Sequence, residues 1–191
     1  VNDSFPELVD VATALPQGTV LDGEVICWRE GDATPLGFDQ LQRRLGRKTV
    51  GNTLKRECPM RFVAYDLLEI GGADIRQLPL HERQQQLDDV LSHVDHGEAW
   101  RLHRSPSWGL NSWSVLEEQR NNARQHKAEG LMLKAVDSPY LSGRKRGHWW
   151  KHKLEPMTLD AVLLYAQAGS GRRANLFTCL LYTSPSPRDL S

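Results

Sequence analysis

The sequence predicts an α+β fold built mainly on antiparallel sheets, and three observations carry that prediction. Strand-like stretches, alternating or rich in β-branched residues, recur at 19–28, 61–70, 130–136 and 148–154. Segments with helical apolar spacing fall between them, but without the strict strand-helix-strand regularity of a parallel sheet. Glycine-bearing turns punctuate the strands, as at Gly71-Gly72-Ala73-Asp74.

Taken in order, Ser4-Phe5-Pro6-Glu7 reads as a capping box that opens a short helix reaching residue 15. The strand at 19–28 is interrupted by Asp22-Gly23-Glu24. Phe38, Leu41 and Leu45 share one face of a short helix, and Arg43, Arg44, Arg47 and Lys48 then form a local basic cluster. After the strand at 61–70, the spacing of Leu80, Leu87, Val90, Leu91 and Val94 predicts a helix, with Pro79 suited to its first turn. A short strand is expected at 99–103, and a polar helix at 114–127 whose thin buried stripe is Val115, Leu116 and Ala123. The strands at 130–136 and 148–154 are joined by the basic turn Ser142-Gly143-Arg144-Lys145-Arg146-Gly147. Beyond Pro156 the pattern shifts to a long apolar strand at 159–167, then Gly169-Ser170-Gly171 and a strand at 174–178. That shift predicts a domain boundary near 155–158.

The two ends look unlike the rest. The chain starts at Val1 without an initiator Met, as the interior of a longer protein would. From Cys179 onward it turns abruptly Ser/Pro-rich with no period of either kind, resembling a translated sequencing adapter. Residues 179–191 are therefore expected to be a non-native tail.

Composition narrows the function classes. Lys+Arg and Asp+Glu number 24 each, so any affinity for nucleic acid must come from local clusters and not from bulk charge. No stretch approaches the ~20 apolar residues that span a bilayer, and the start lacks the basic flank and apolar run of a signal peptide. Cys27, Cys58 and Cys179 are widely spaced and odd in number, which supports neither a disulfide framework nor a cysteine zinc site. A reducing cytoplasm is the expected setting.

Four segments place charge or aromatic rings where a strand would otherwise be apolar. In Leu21-Asp22-Gly23-Glu24-Val25-Ile26, two carboxylates flank a glycine that admits a ligand close to the backbone; a polar bulge accounts for the same residues. In Phe62-Val63-Ala64-Tyr65-Asp66, Tyr65 offers a flat face to a base and Asp66 can fix the local backbone, although a buried strand Tyr is commoner. Glu129-Gly130-Leu131-Met132-Leu133-Lys134 brackets a strand with an acid and a base, the form of a metal ligand or of a salt-bridged strand end. In Trp149-Trp150-Lys151-His152-Lys153, the two lysines share a strand face by period two. Like charges side by side repel, so an anion such as phosphate is their natural partner; a solvated edge strand is the alternative.

Taken in order, and with Phe38-Asp39-Gln40-Leu41-Gln42-Arg43-Arg44-Leu45-Gly46 and Ser138-Pro139-Tyr140 between them, these segments resemble the nucleotidyltransferase motifs of ATP-dependent DNA ligases of the bacterial accessory, repair type. The resemblance implies an ATP-grasp-like adenylation domain, of which 1–156 would be the C-terminal part, followed at 157–178 by the start of an OB-fold barrel. It further implies that Glu24 contacts the ribose or helps hold a catalytic Mg²⁺, that Tyr65 stacks on adenine, and that Glu129 binds metal directly or through water. Lys151 and Lys153 would neutralise the α-phosphate during transfer, and Arg144, Lys145 and Arg146 would touch the DNA backbone. The implied cofactors are ATP and Mg²⁺, and the implied partner is nicked duplex DNA, met by a monomer.

The family's nucleophile lies in a Lys-x-Asp-Gly motif upstream of Asp-Gly-Glu, and no such tetrad occurs here: Lys48 and Lys55 precede residue 100, and neither is followed by Asp-Gly. The expectation is a fragment that cannot adenylate itself. An RNA ligase or capping-type nucleotidyltransferase shares the same acids and lysines. A non-catalytic nucleic-acid-binding module would instead use 43–48 and 144–153 as basic patches beside Trp149 and Trp150.

Overall fold

The computed structural model describes residues 2–94, 99–143, 145–156, 158 and 160–183. The chain divides into two compact units, Val1–Leu154 and Glu155–Ser191.

In the first unit, helix α1 (Pro6–Ala12) leads to strand β1 (Val20–Cys27), helices α2 (Phe38–Gln42) and α3 (Asn52–Glu57), and the long strand β2 (Met60–Ile70). Then come β3 (Ala73–Asp74), α4 (Leu80–Ser92), β4 (Leu102–Arg104), α5 (Trp113–Asn122), β5 (Gly130–Lys134) and β6 (Trp149–Lys153). Strand β2 is the axis of the first sheet: β1 and β3 pair with it antiparallel, and β4 pairs parallel through Phe62–Ala64. Strands β5 and β6 form a separate antiparallel sheet. The architecture is thus α+β with mainly antiparallel pairing, as the sequence predicts.

Helix α4 buries Leu80, Arg83, Leu87 and Val90, a spacing of three and four that keeps one face inward. Leu87 and Val90 pack with Ala64, Leu67 and Ile75 to form the core beneath β2. Arg83 is charged and fully buried because Asp66 meets it: its Nε and Nη2 donate to the two carboxylate oxygens at 2.8 and 2.9 Å. Asp66 also accepts from the Leu67 amide at 3.0 Å, so it does fix the local backbone.

Several local expectations are corrected. The capping box does not form: Phe5 caps α1 without a side-chain bond, Ser4 Oγ donates to the Arg47 carbonyl, and Glu7 turns inward to Arg44. Arg44 is fully buried, donating also to the Ser4 and Cys58 carbonyls, while Arg43 pairs with Glu57. Arg44 is therefore withdrawn from the expected basic cluster into the fold's interior, while Arg43, Arg47 and Lys48 stay exposed. The expected strand at 99–103 is a 3-10 turn, Ala99–Arg101, feeding β4, and the helix α3 had not been anticipated.

The second unit contains β7 (Val162–Ala168) paired antiparallel with β8 (Phe177–Thr183). The strand expected at 174–178 is displaced toward the C-terminus, into the stretch expected to be a tail: residues 174–176 continue the turn that begins with the 3-10 segment Gly171–Arg173, and Leu180, Leu181 and Tyr182 supply apolar strand formers.

Candidate nucleotide site

The bulge at Asp22/Gly23 is where the first sheet acquires polar side chains. Gly23 serves packing and not ligand approach: a Cβ there would stand 2.4 Å from the Val63 carbonyl oxygen and 2.6 Å from the Phe62 ring. Beyond the bulge, Glu24 is exposed opposite Val63, two residues from Tyr65 and so on the same strand face. Asp22 Oδ1 accepts from the Tyr65 hydroxyl at 3.3 Å, and Oδ2 from the Tyr140 hydroxyl at 2.7 Å. Burial, with the Asp22 charge behind it, raises both phenols above their ordinary range, Tyr140 to about 12.

The β5–β6 hairpin supplies the cations. Its register pairs Gly130 with Lys153, Met132 with Lys151 and Lys134 with Trp149, so these six residues occupy one face. Lys134 Nζ lies 4.5 Å from the Tyr65 ring centroid and 4.0 Å from that of Trp149, which turns this face toward Tyr65. Lys151 and Lys153 are exposed on it. Lys153 Nζ reaches Glu129 Oε2 at 3.1 Å, an exposed pair that solvent screens and a ligand can part. On the opposite face His152 Nε2 meets Glu117 of α5 at 2.8 Å; that hydrogen bond and the neighbouring Arg120 hold the Glu117 carboxyl below its usual range. Gly130 is obligatory, with φ +141° and any Cβ only 2.3 Å from the His152 carbonyl oxygen.

The structure thus joins Glu129 to Lys153 directly, stands Glu24 beside Tyr65, and aims the lysine face at Tyr65. Lys145 and Arg146 are exposed in the loop preceding β6; Arg144 lies outside the described residues. Among the described residues, no three His, Cys, Asp or Glu side chains gather as a metal cage. The carboxylates expected to hold metal, Glu24 and Glu129, are both exposed, and two such groups would suit Mg²⁺ in its common mode, where water and substrate phosphates complete the shell. A largely apolar cavity of about 310 Å³, lined by Leu8, Val11, Leu15 and Phe62 among others, has no charged side chain in its wall.

Lys134, Tyr140 and Trp149 join Asp22 around Tyr65, contacts that the sequence reading does not foresee. Lys134 was detectable in principle, because Gly130, Met132 and Lys134 alternate onto one face.

A family model described as ATP dependent DNA ligase domain matches residues 1–153. This chain belongs to that family. Among relatives of the ligase chain is a probable DNA ligase of Koribacter versatilis (strain Ellin345), 36% identical over 196 residues, covering 93% of this chain and 34% of the relative. DNA ligase 2 of Haloquadratum walsbyi (strain DSM 16790 / HBSQ001) is 32% identical over 190 residues, covering 99% of this chain and 29% of the relative. The ligase chain therefore spans about a third of the length of the curated relatives it matches. Its fold is shared with a structure from work on Lig E DNA ligases, at TM-score 0.60 and 23% identity over 86% of this chain and 57% of the other. It is shared too with mycobacterial DNA ligase D complexed with ATP and MES, at TM-score 0.59 and 24% identity, covering 95% of this chain and 51% of that one. No helix among the described residues is long and apolar enough to cross a membrane.

Proposed function

We propose that this chain supplies the nucleotide-binding part of an enzyme that seals nicks in duplex DNA at the expense of ATP. One observation carries the reading: the hairpin face bearing Lys151, Lys153 and the Glu129 pair is the face that meets Tyr65 through Lys134 and Trp149. Tyr65 would stack on adenine, Glu24 would contact the ribose or share the metal with Glu129, and Lys151 and Lys153 would neutralise charge building on the α-phosphate. Mg²⁺, when bound, would screen the phosphate oxygens against the incoming nucleophile. Lys145 and Arg146, with Arg144, would hold the DNA backbone without reading its sequence.

The reaction has three transfers. A lysine attacks the α-phosphate and pyrophosphate leaves; AMP passes from that lysine to the 5′-phosphate at the nick; the 3′-hydroxyl then displaces AMP and closes the strand. Each is a displacement at phosphorus, in which placement and charge neutralisation do most of the catalysis. The attacking lysine belongs to a Lys-x-Asp-Gly segment that these 191 residues do not contain, so the chain alone binds nucleotide without becoming adenylated. Residues 157–178 would begin an OB-fold. The unpaired buried thiols of Cys27 and Cys58 suit a cytoplasmic protein, which we place there as a monomer.

Calorimetric titration of the 191-residue chain with ATP tests the binding half. Labelled-ATP nick sealing by a polypeptide joining this chain to a Lys-x-Asp-Gly segment tests the chemistry. Binding and sealing are expected; a chain that ignores ATP overturns the reading.

A further inference from the structure

One circuit of contacts in the first unit has no part in the transfer chemistry. It runs from Asp22 to the Tyr65 hydroxyl, across the Tyr65 ring to Lys134, from Lys134 to the Trp149 ring, and through the Tyr140 ring back to Asp22. Tyr140 and Trp149 meet edge to face, centroids 5.5 Å apart at 82°. The two sheets share no strand pairing, so side chains and loops must hold them together. Arg83 to the Ser138 carbonyl, His81 to the Val136 carbonyl and Tyr140 N–H to the Arg76 carbonyl anchor the segment after β5 to α4 and its approach. Tyr65 itself is reached from two sides, by the Asp22 carboxylate at its hydroxyl and by the Lys134 ammonium at its ring.

We propose that Tyr140 is a positioning residue for the nucleotide: acting through Asp22, it fixes the plane of the Tyr65 ring and hence the ring's separation from the lysines of β6. The proposal rests on the reading of Tyr65 and those lysines as one nucleotide site. The half-buried Asp22 carboxylate divides its two oxygens between two phenols. Without the Tyr140 hydroxyl, Oδ2 loses its donor, and Lys134, whose buried ammonium has no hydrogen-bond partner, feels the Asp22 charge. Lys134 would swing onto Asp22 and leave the Tyr65 and Trp149 rings, loosening the ring that receives the base. The phosphate-facing lysines, further along β6, would stay where they are.

The test uses Tyr140→Phe, which keeps the ring edge against Trp149 and removes only the hydroxyl, with Asp22→Asn as a second variant that retains one acceptor oxygen. Each is titrated with ATP and with inorganic tripolyphosphate, which presents phosphate without a base. The expected result for Tyr140→Phe is about a tenfold loss of ATP affinity, the scale of one hydrogen bond to a charged group, with tripolyphosphate affinity unchanged. Asp22→Asn should fall between wild type and Tyr140→Phe. Equal loss for both ligands, or no loss, overturns the proposal. Should the wild-type chain bind no ATP, the fault lies with the proposed function, and hydrogen exchange decides the tether separately. Faster exchange at the Lys134 and Trp149 amides in Tyr140→Phe, with α4 unchanged, supports it; unchanged exchange there overturns it.

Discussion

The Lys134 ammonium lies 4.5 Å from the centroid of the Tyr65 ring, buried and without a hydrogen-bond partner. Ring quadrupoles from Tyr65 and Trp149 compensate part of its desolvation, yet burial still drives its pKa down. A cation held over the Tyr65 ring helps to fix the ring's plane. Lys134→Met, which keeps the stem and removes the charge, should lower the affinity for ATP and GTP together, about tenfold, as read by competitive titration. Unchanged affinity for both would remove Lys134 from holding the ring.

The same residue sets a pH signature. The folded chain disfavours the charged form, so the unfolded chain holds its proton to higher pH. Stability should therefore rise as pH climbs through the depressed folded pKa toward the ordinary 10.5, and this rise should vanish in Lys134→Met. Urea unfolding across alkaline pH measures it.

The phenols act in the opposite sense. Tyr140, raised from 10.0 to about 12, keeps its proton in the folded chain after the unfolded chain has ionised. Its stabilising share is whole below pH 10 and is lost as pH rises from 10 to about 12. Tyr140→Phe should flatten that decline, and its tyrosinate absorbance titration should lose a late-titrating component.

Asp66→Asn should cost about 3–5 kcal/mol in urea unfolding, because it leaves the Arg83 guanidinium buried without its counter-charge. Replacing both residues by apolar ones of similar volume should recover much of that loss. A cost below about 1 kcal/mol for the single change would contradict the buried-pair account.

Gly130→Ala should destabilise the chain by more than about 1 kcal/mol, since both φ and the His152 carbonyl exclude a side chain there. Nucleotide binding should weaken with it, because Glu129 and Lys153 meet at that end of the hairpin.

How much of this could be read in the sequence depends on the range of the signal. Strands β1, β2, β5 and β6 and helix α4 announce themselves by local period, and the lysine pair of β6 does share a face as period two requires. Ser4 and Glu7 carry the capping-box pattern, but Arg44, 37 residues on, competes for Glu7 with a buried charged hydrogen bond. Arg44 itself looks like one member of a basic run until the fold encloses it. Gly23 reads as room for a ligand, whereas the Phe62 ring fills that room. Tyr140 gives no local hint of its role, because its partner Asp22 lies 118 residues away. Long-range polar pairing is what a one-dimensional pattern leaves out.

The central claim is that Glu24, Tyr65, Glu129, Lys151 and Lys153 surround one adenylate. Titrating AMP into isotope-labelled chain and following the backbone amide resonances tests it most directly. The account predicts that these five amides shift together, with one dissociation constant, and that Lys134 and Asp22 move with them. Shifts confined to the apolar cavity around Leu8 and Phe62, or five amides that stay still at saturating AMP, would contradict it.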